Sequence, residues 1–306
     1  MTSTSRALAL STMWSQQPRF AHDLGEFART AVELGYTHVE LSYIAREEGI
    51  EQVRRSGVPV TSLHAPAPLI EIRGRRNFDL NLAAEDEDER CQAVAHTKRT
   101  IEVAASLGAR AIVVHLGAVE GEARQSEVQL RRLVREVAPT EDIEHAREAT
   151  LRARAEGQPK AFAQAKRSLA ELASHAERYR VTIGLEDRFH VHEIPNVDEA
   201  LELLAAYPPD VVGYWHDVGH AEVLDRLGVI PHERWLRELG ERCVGAHLHD
   251  VQGIIDHRAP GCGDADWDYV ARYLPDEAIR TFEINQQIPD DEVRAAIPFL
   301  RARGIV

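Results

Sequence analysis

Short apolar runs alternate along this chain with longer stretches whose apolar positions recur at helical spacing. The runs are 6–11 (RALALS), 37–42 (THVELS), 59–64 (PVTSLH), 110–115 (RAIVVH), 181–186 (VTIGLE), 211–217 (VVGYWHD), 243–249 (CVGAHLH) and 279–284 (IRTFEI). Apolar and β-branched runs with little polar alternation read as strands buried on both faces. Segments 21–34, 86–107 and 160–179 carry the amphipathic pattern of helices that cover such strands. In ELGYTHVEL and SLGARAIVV a glycine separates a helical stretch from the next run, where a helix C-cap belongs. Eight strand–helix repeats within 306 residues predict an α/β fold, a (β/α)8 TIM barrel spanning 1–306 as one domain. No run is followed by a glycine-rich phosphate turn, which argues against a doubly wound dinucleotide fold.

One interval breaks the rhythm. Between His115 and Val181 a single crossover helix would suffice, yet the chain is far longer and strongly charged over 119–158. This segment reads as an insertion of two extra helices broken near Ala138-Pro139, placed after strand four on the C-terminal face of the barrel. Two readings stand: a solvated helical hairpin carrying a homo-oligomer contact, or a lid or wall over the pocket.

Composition narrows the class. Acidic residues outnumber basic ones, 50 to 36, for a net charge of −14, which disfavours nucleic acid as a partner. Lysine occurs only at 98, 160 and 166, none at a strand end. Cys91, Cys243 and Cys262 form no CxxC pair, the usage expected of a reduced, cytoplasmic protein. No run is long enough to span a membrane, and the N-terminus lacks a signal-peptide h-region.

The chemistry lies at the strand ends. Glu186, Asp217, His247 and Glu283 each close an apolar run, and two Glu, one Asp and one His form an oxygen-rich set suited to one divalent ion: Mn, Mg, Co or Zn. Glu40, His64 and His115 end earlier strands, while Asp187, Arg188, His216 and His249 flank later ones. Burying so many ionisable groups without a cation would be costly. Trp14, Tyr43, Trp215, His190 and Asn285 also lie near strand ends, and Trp14 and Tyr43 could either stack on a sugar face or pack under loops. Arg188 could hold a substrate carboxylate or phosphate, or pair with Asp187 or Glu193.

The phrases LHAP, VVHLG, GLED, HDVGH, HLHD with DHRAPGCGDADW, and FEIN resemble the xylose isomerase-like TIM barrel superfamily across nearly the whole chain apart from the insertion. The resemblance implies one divalent ion held by Glu186, Asp217, His247 and Glu283. It places His220, three residues after Asp217, and His257, before the PGxG phrase, as second-metal or substrate-contacting groups, with His64, His115 and His249 in the same role. Asp266 is expected to N-cap the following helix. The implied activity is isomerisation or epimerisation of a sugar or sugar-like ketose through a metal-stabilised enediolate, with Glu186 and Glu283 as acid and base. An inosose-dehydratase-like lyase would share the ligands and the enediolate. A multi-zinc apurinic endonuclease of the endonuclease IV type is the third branch. Against it stand the acidic charge and Ile255, which occupies the place of that branch's third-metal aspartate. On an extended backbone the neighbouring Asp256 would face away.

Overall fold

The structure of this chain, a computed structural model, describes residues 6–72 and 74–306. Eight parallel strands close into a barrel: β1 (Leu8–Ser11), β2 (His38–Leu41), β3 (Val60–His64), β4 (Ala111–Val114), β5 (Thr182–Glu186), β6 (Val212–Asp217), β7 (Cys243–His247) and β8 (Ile279–Phe282). Neighbours in sequence are neighbours in the sheet, and β8 pairs with β1 through Leu8 opposite Arg280 to close the ring. Each strand falls inside one of the eight apolar runs. The chain is a (β/α)8 TIM barrel, as the pattern predicts.

Helices α1 (Leu24–Leu34), α2 (Glu47–Ser56) and α3 (Glu87–Leu107) cover the first half. α1 shows how the sequence bounds them. Asp23 accepts a hydrogen bond from the Gly25 amide at the start, and Gly35 ends the helix at φ 104°, where its N–H reaches the Ala31 and Val32 carbonyls. The second half carries α6 (Val197–Ala205), α7 (Val218–Arg226), α8 (His232–Leu239), α9 (Trp267–Tyr273) and α10 (Asp290–Arg301). Asp266 caps α9 as expected, accepting from the Tyr269 amide.

Residues 119–158 depart from the expected pair of helices. α4 (Glu122–Arg135) stops before Pro139, but the next helix, α5, runs without interruption from Thr140 to Tyr179. The barrel helix and the second inserted helix are therefore one element of 40 residues. Gly157 and Pro159 suggest a break, and an interior proline costs about 3 kcal/mol. Buried side chains on both sides of Pro159 offset it: Thr150 and Arg154 before, Ala161, Phe162 and Ala165 after. Arg154 fixes this half of α5 to the β5–α6 connection, with Nη2 2.7 Å and Nη1 2.9 Å from the two Glu199 oxygens and Nε 2.8 Å from the Val191 carbonyl.

Strand alternation positions the site. Successive side chains face opposite sides, so alternate residues enter the barrel. Trp215 is fully buried there with Ala111, Val113 and Ile279, and its ring lies 5.2 Å from that of His247. This packed layer is the floor of the site. Beyond β7, an antiparallel hairpin, Asp250–Gln252 with Ile255–Arg258, folds the chain back over the strand ends. Among the described residues no helix is long and apolar enough to cross a membrane.

Candidate metal centre

The inward positions at the C-terminal strand ends converge on His247. Its Nδ1 lies 2.6 Å from Glu186 Oε1, 3.2 Å from Glu283 Oε2 and 3.5 Å from Asp217 Oδ2. One ligand atom from each of these four residues falls within 4.8 Å of the others, and all four residues are buried. The set named from the sequence is thus brought together in space.

Two further groups share its members. His64 and His115 meet Glu186 on one side, with His115 Nε2 2.6 Å from Glu186 Oε2. His220, His249 and His257 meet Asp217 on the other. Local structure explains the second group. Asp217 caps α7, its Oδ1 accepting from the His220 amide at 2.8 Å, so the histidine three residues on is turned toward the same mouth. His249 Nδ1 accepts from the His257 amide at 2.9 Å, and the two rings stack at 4.2 Å. α7 approaches closely enough that a Cβ at Gly219 would clash with the His249 ring.

Asp256 corrects the sequence reading. His257 has φ 57°, so the hairpin is not extended there and the alternation argument fails. Asp256 Oδ2 lies 3.1 Å from His257 Nδ1 and 4.0 Å from His220 Nε2, beside the second group. Trp14 is the opposite case. It is fully buried beneath the β1 loop against Phe20 and Phe27, with Nε1 donating to the Ile288 carbonyl, and does not reach the site. Tyr43 packs edge-on against His64 and lines a small cavity of about 150 Å³ beside His115. His216 points outward, between Tyr214 and His232. Arg188 bridges Glu186, at 2.5 Å, and Glu193, at 3.1 Å.

Two of the strand-end residues named from the sequence, Glu40 and Asp187, support the site from behind, a role the sequence does not specify. Glu40, from β2, accepts from the Ser62 hydroxyl at 2.7 Å and faces His247 Nε2 at 3.0 Å, orienting the imidazole from behind. Asp187 accepts from the Asp217 amide and the Tyr214 hydroxyl, at 2.7 and 2.8 Å, fixing the end of β6.

The electrostatics follow from this crowding. Burial raises a carboxyl pKa, but His115, His247 and His64 outweigh it and hold Glu186 well below the carboxylate range. Asp217 is likewise depressed against its own burial, by His220, His249 and His247. Glu283 is depressed to about 2, burial being outweighed chiefly by His247 and His257. Burial lowers His115 to about 3, with Arg188 and His64 acting in the same sense and the Glu186 carboxylate against it. Burial would also lower His247, but Glu283, Glu40, Asp217 and Glu186 drive it well above its ordinary value.

The donor set fits a divalent ion. Asp217 Oδ2, His115 Nε2 and His249 Nε2 are buried with no hydrogen-bond partner among the described residues. His115 and His249 nevertheless approach the carboxylates of Glu186 and Asp217, at 2.6 and 2.8 Å. Close approach without hydrogen-bond geometry is the arrangement of ligands directed at common ions. Carboxylate and imidazole together suit Mn, Mg, Co or Zn.

A family model described as xylose isomerase-like TIM barrel matches residues 28–303, and the chain belongs to that family. It is 24% identical over 286 residues to the uncharacterized protein y4fM of Sinorhizobium fredii, covering 85% of this chain and 79% of that protein. Solved structures share the fold. A D-tagatose 3-epimerase-like protein superposes with TM-score 0.68 at 18% identity, covering 97% of this chain and 96% of its own. A D-psicose 3-epimerase crystallised with D-fructose gives 0.68 at 14%, covering 98% and 100%. The 3-keto-D-glucoside 4-epimerase YcjR of E. coli gives 0.65 at 16%, covering 97% and 100%.

Proposed function

We propose that this protein is a cytoplasmic, divalent-metal-dependent isomerase or epimerase acting on a ketose or a related sugar. The observation that carries this reading is the convergence of Glu186, Asp217, His247 and Glu283, all buried, on one point at the C-terminal mouth of the barrel. The named epimerases among the fold relatives support it. A divalent ion held by these four residues would supply a Lewis acid that polarises a substrate carbonyl and acidifies the neighbouring C–H. Glu186 and Glu283 come from strands separated by β6 and β7, so their carboxylates reach the site from different directions. Both are ionised at neutral pH, so either can take the carbon-bound proton; the other, once it has itself taken up a proton from solvent, is placed to deliver one to the carbon from a different direction. Arg188 holds Glu186 in place, and the Trp215 layer keeps water from entering beneath.

The test is a panel of ketoses and inososes incubated in heavy water with metal-loaded protein. Deuterium should enter at the carbon next to the carbonyl, and chelation should stop it. A panel with no incorporation by protein of verified metal content would remove the reading. Loss of water from an inosose would instead assign a dehydratase.

One observation favours a second reading, a multi-zinc apurinic endonuclease. The flanking groups around His64 and His220 are assembled, and Asp256 supplies a carboxylate beside His220 and His257. About three zinc ions per chain with cleavage of abasic DNA would favour the nuclease; about one ion activated by Mn or Co would favour the isomerase. The net charge of −14 opposes DNA docking.

A further inference from the structure

The inserted helix α4 walls a cavity of about 430 Å³ that begins at His115, whose Nε2 touches Glu186. The cavity therefore borders the central site, with His115 standing between it and the four-residue centre. Its lining carries carboxylates, but each is engaged. Asp79 pairs with Arg76 at 3.1 Å, Glu193 with Arg188 at 3.1 Å, and Glu120 accepts from Asn81 at 3.1 Å.

Glu127 is the most heavily engaged. One oxygen lies 2.7 Å from Arg131 Nε and 2.9 Å from His190 Nδ1; the other lies 2.6 Å from His192 Nδ1 and accepts from the His192 amide. Glu127, His190 and His192 have the spacing of a metal group. The Arg131 guanidinium bonded to the same carboxylate puts a fixed positive charge there, which disfavours a cation. The arrangement is better read as a brace that orients Arg131.

Arg131 is held on three sides. Nε binds Glu127, Nη2 donates to the Phe189 carbonyl, and the guanidinium lies 4.1 Å over the Phe189 ring. Its Nη1 is buried without a hydrogen-bond partner among the described residues, on a side chain 5% exposed that lines the cavity. A buried, unpartnered guanidinium N–H is costly unless something binds it. Arg124, about two helical turns before it on α4, also lines the cavity and makes no ion pair among the described residues. Asp79, Glu127 and Glu193 are ion-paired and Glu120 is bonded only to an amide; the donors left over are Nη1 of Arg131 and the guanidinium of Arg124.

We propose that this cavity is a subsite for an oxyanion, a carboxylate or phosphate, carried by the end of the substrate remote from the reacting carbon. The inference rests on the isomerase reading for the rest of the substrate. Arg131 is the fixed donor and Arg124 the one at the rim. The insertion then acts as a specificity wall, selecting an acidic or phosphorylated ketose over a neutral one.

The test uses the full chain loaded with Mn and three ketohexose probes alike except at the terminal carbon: alcohol, carboxylate and phosphate monoester. Binding is read by calorimetry and exchange by deuterium wash-in. An anionic probe is expected to bind about tenfold or more tightly than the neutral one, with the tighter of the two identifying the source of the oxyanion. Arg124→Ala and Arg131→Met should each collapse that preference. Arg124 is exposed, so its variant keeps the test valid if the buried Arg131 variant fails to fold. Equal binding of the three probes overturns the proposal, as does a preference that survives substitution. Exchange of the neutral probe without anionic preference removes the subsite and leaves the isomerase intact. Anionic preference without exchange of any probe removes the isomerase and leaves the subsite.

Discussion

His247 Nε2 faces Glu40 Oε1 at 3.0 Å, across the barrel from the carboxylates that surround Nδ1. The two nitrogens are thereby divided: one is turned to the proposed ion, the other is tied to a carboxylate from β2. A carboxylate behind a metal-binding histidine fixes its tautomer and raises its basicity, and losing it typically costs about 10–100-fold in metal affinity. Glu40→Ala should weaken Mn binding by that order, measured by competition with a chelator of known affinity. Unchanged affinity would show that Glu40 serves only to hold Ser62.

Glu283 should separate ligation from proton transfer. Glu283→Gln keeps an oxygen for the ion but removes the base. Wash-in should fall by about 10²–10⁴-fold, the usual contribution of a positioned acid or base, with metal content measured alongside. Exchange at the wild-type rate in a metal-loaded variant would take Glu283 out of the proton-transferring pair.

The barrel and its four central residues are legible in the sequence because buried parallel strands leave unbroken apolar runs. A charged residue closing such a run, as Glu186 closes TIGLE, stands out against it. What escapes is set by geometry the run does not encode. Asp256 is misplaced by assuming an extended backbone, because nothing local announces the left-handed turn at His257. Trp14 looks available at a strand end, yet three aromatic rings close over one another there. Glu127 and Arg131 lie four residues apart within the charged insertion; only the fold brings His190 and His192 onto the same carboxylate. The fusion of two helices into α5 hides behind a glycine and a proline that tertiary packing overrides.

Arg154 anchors that long helix, and removing it should expose the cost of the join. Arg154→Met would leave Glu199 buried without its partner, and breaking a buried pair in this way costs about 3–5 kcal/mol. Chemical denaturation should show a loss of this size, and a second substitution, Glu199→Gln, should recover part of it. Additive losses in the double variant would mean that the two residues act independently.

Glu193 gives the pH dependence a sign. Burial raises its pKa, but Arg188, His190 and His115 outweigh that and hold it at about 2. The folded value lies below the ordinary value of about 4.3, so ionised Glu193 contributes stability that is fully present above that pH. The contribution is lost progressively as pH falls toward about 2, when the folded protein must also take up the proton. Glu193→Gln has no such proton to bind. Thermal denaturation from about pH 6 down to about pH 2 should therefore show a shallower decline in the variant than in the wild type, with the two curves converging at the acid end. Parallel curves across that window would mean that Arg188 is held by Glu186 alone and that Glu193 contributes nothing to the acid side of the fold.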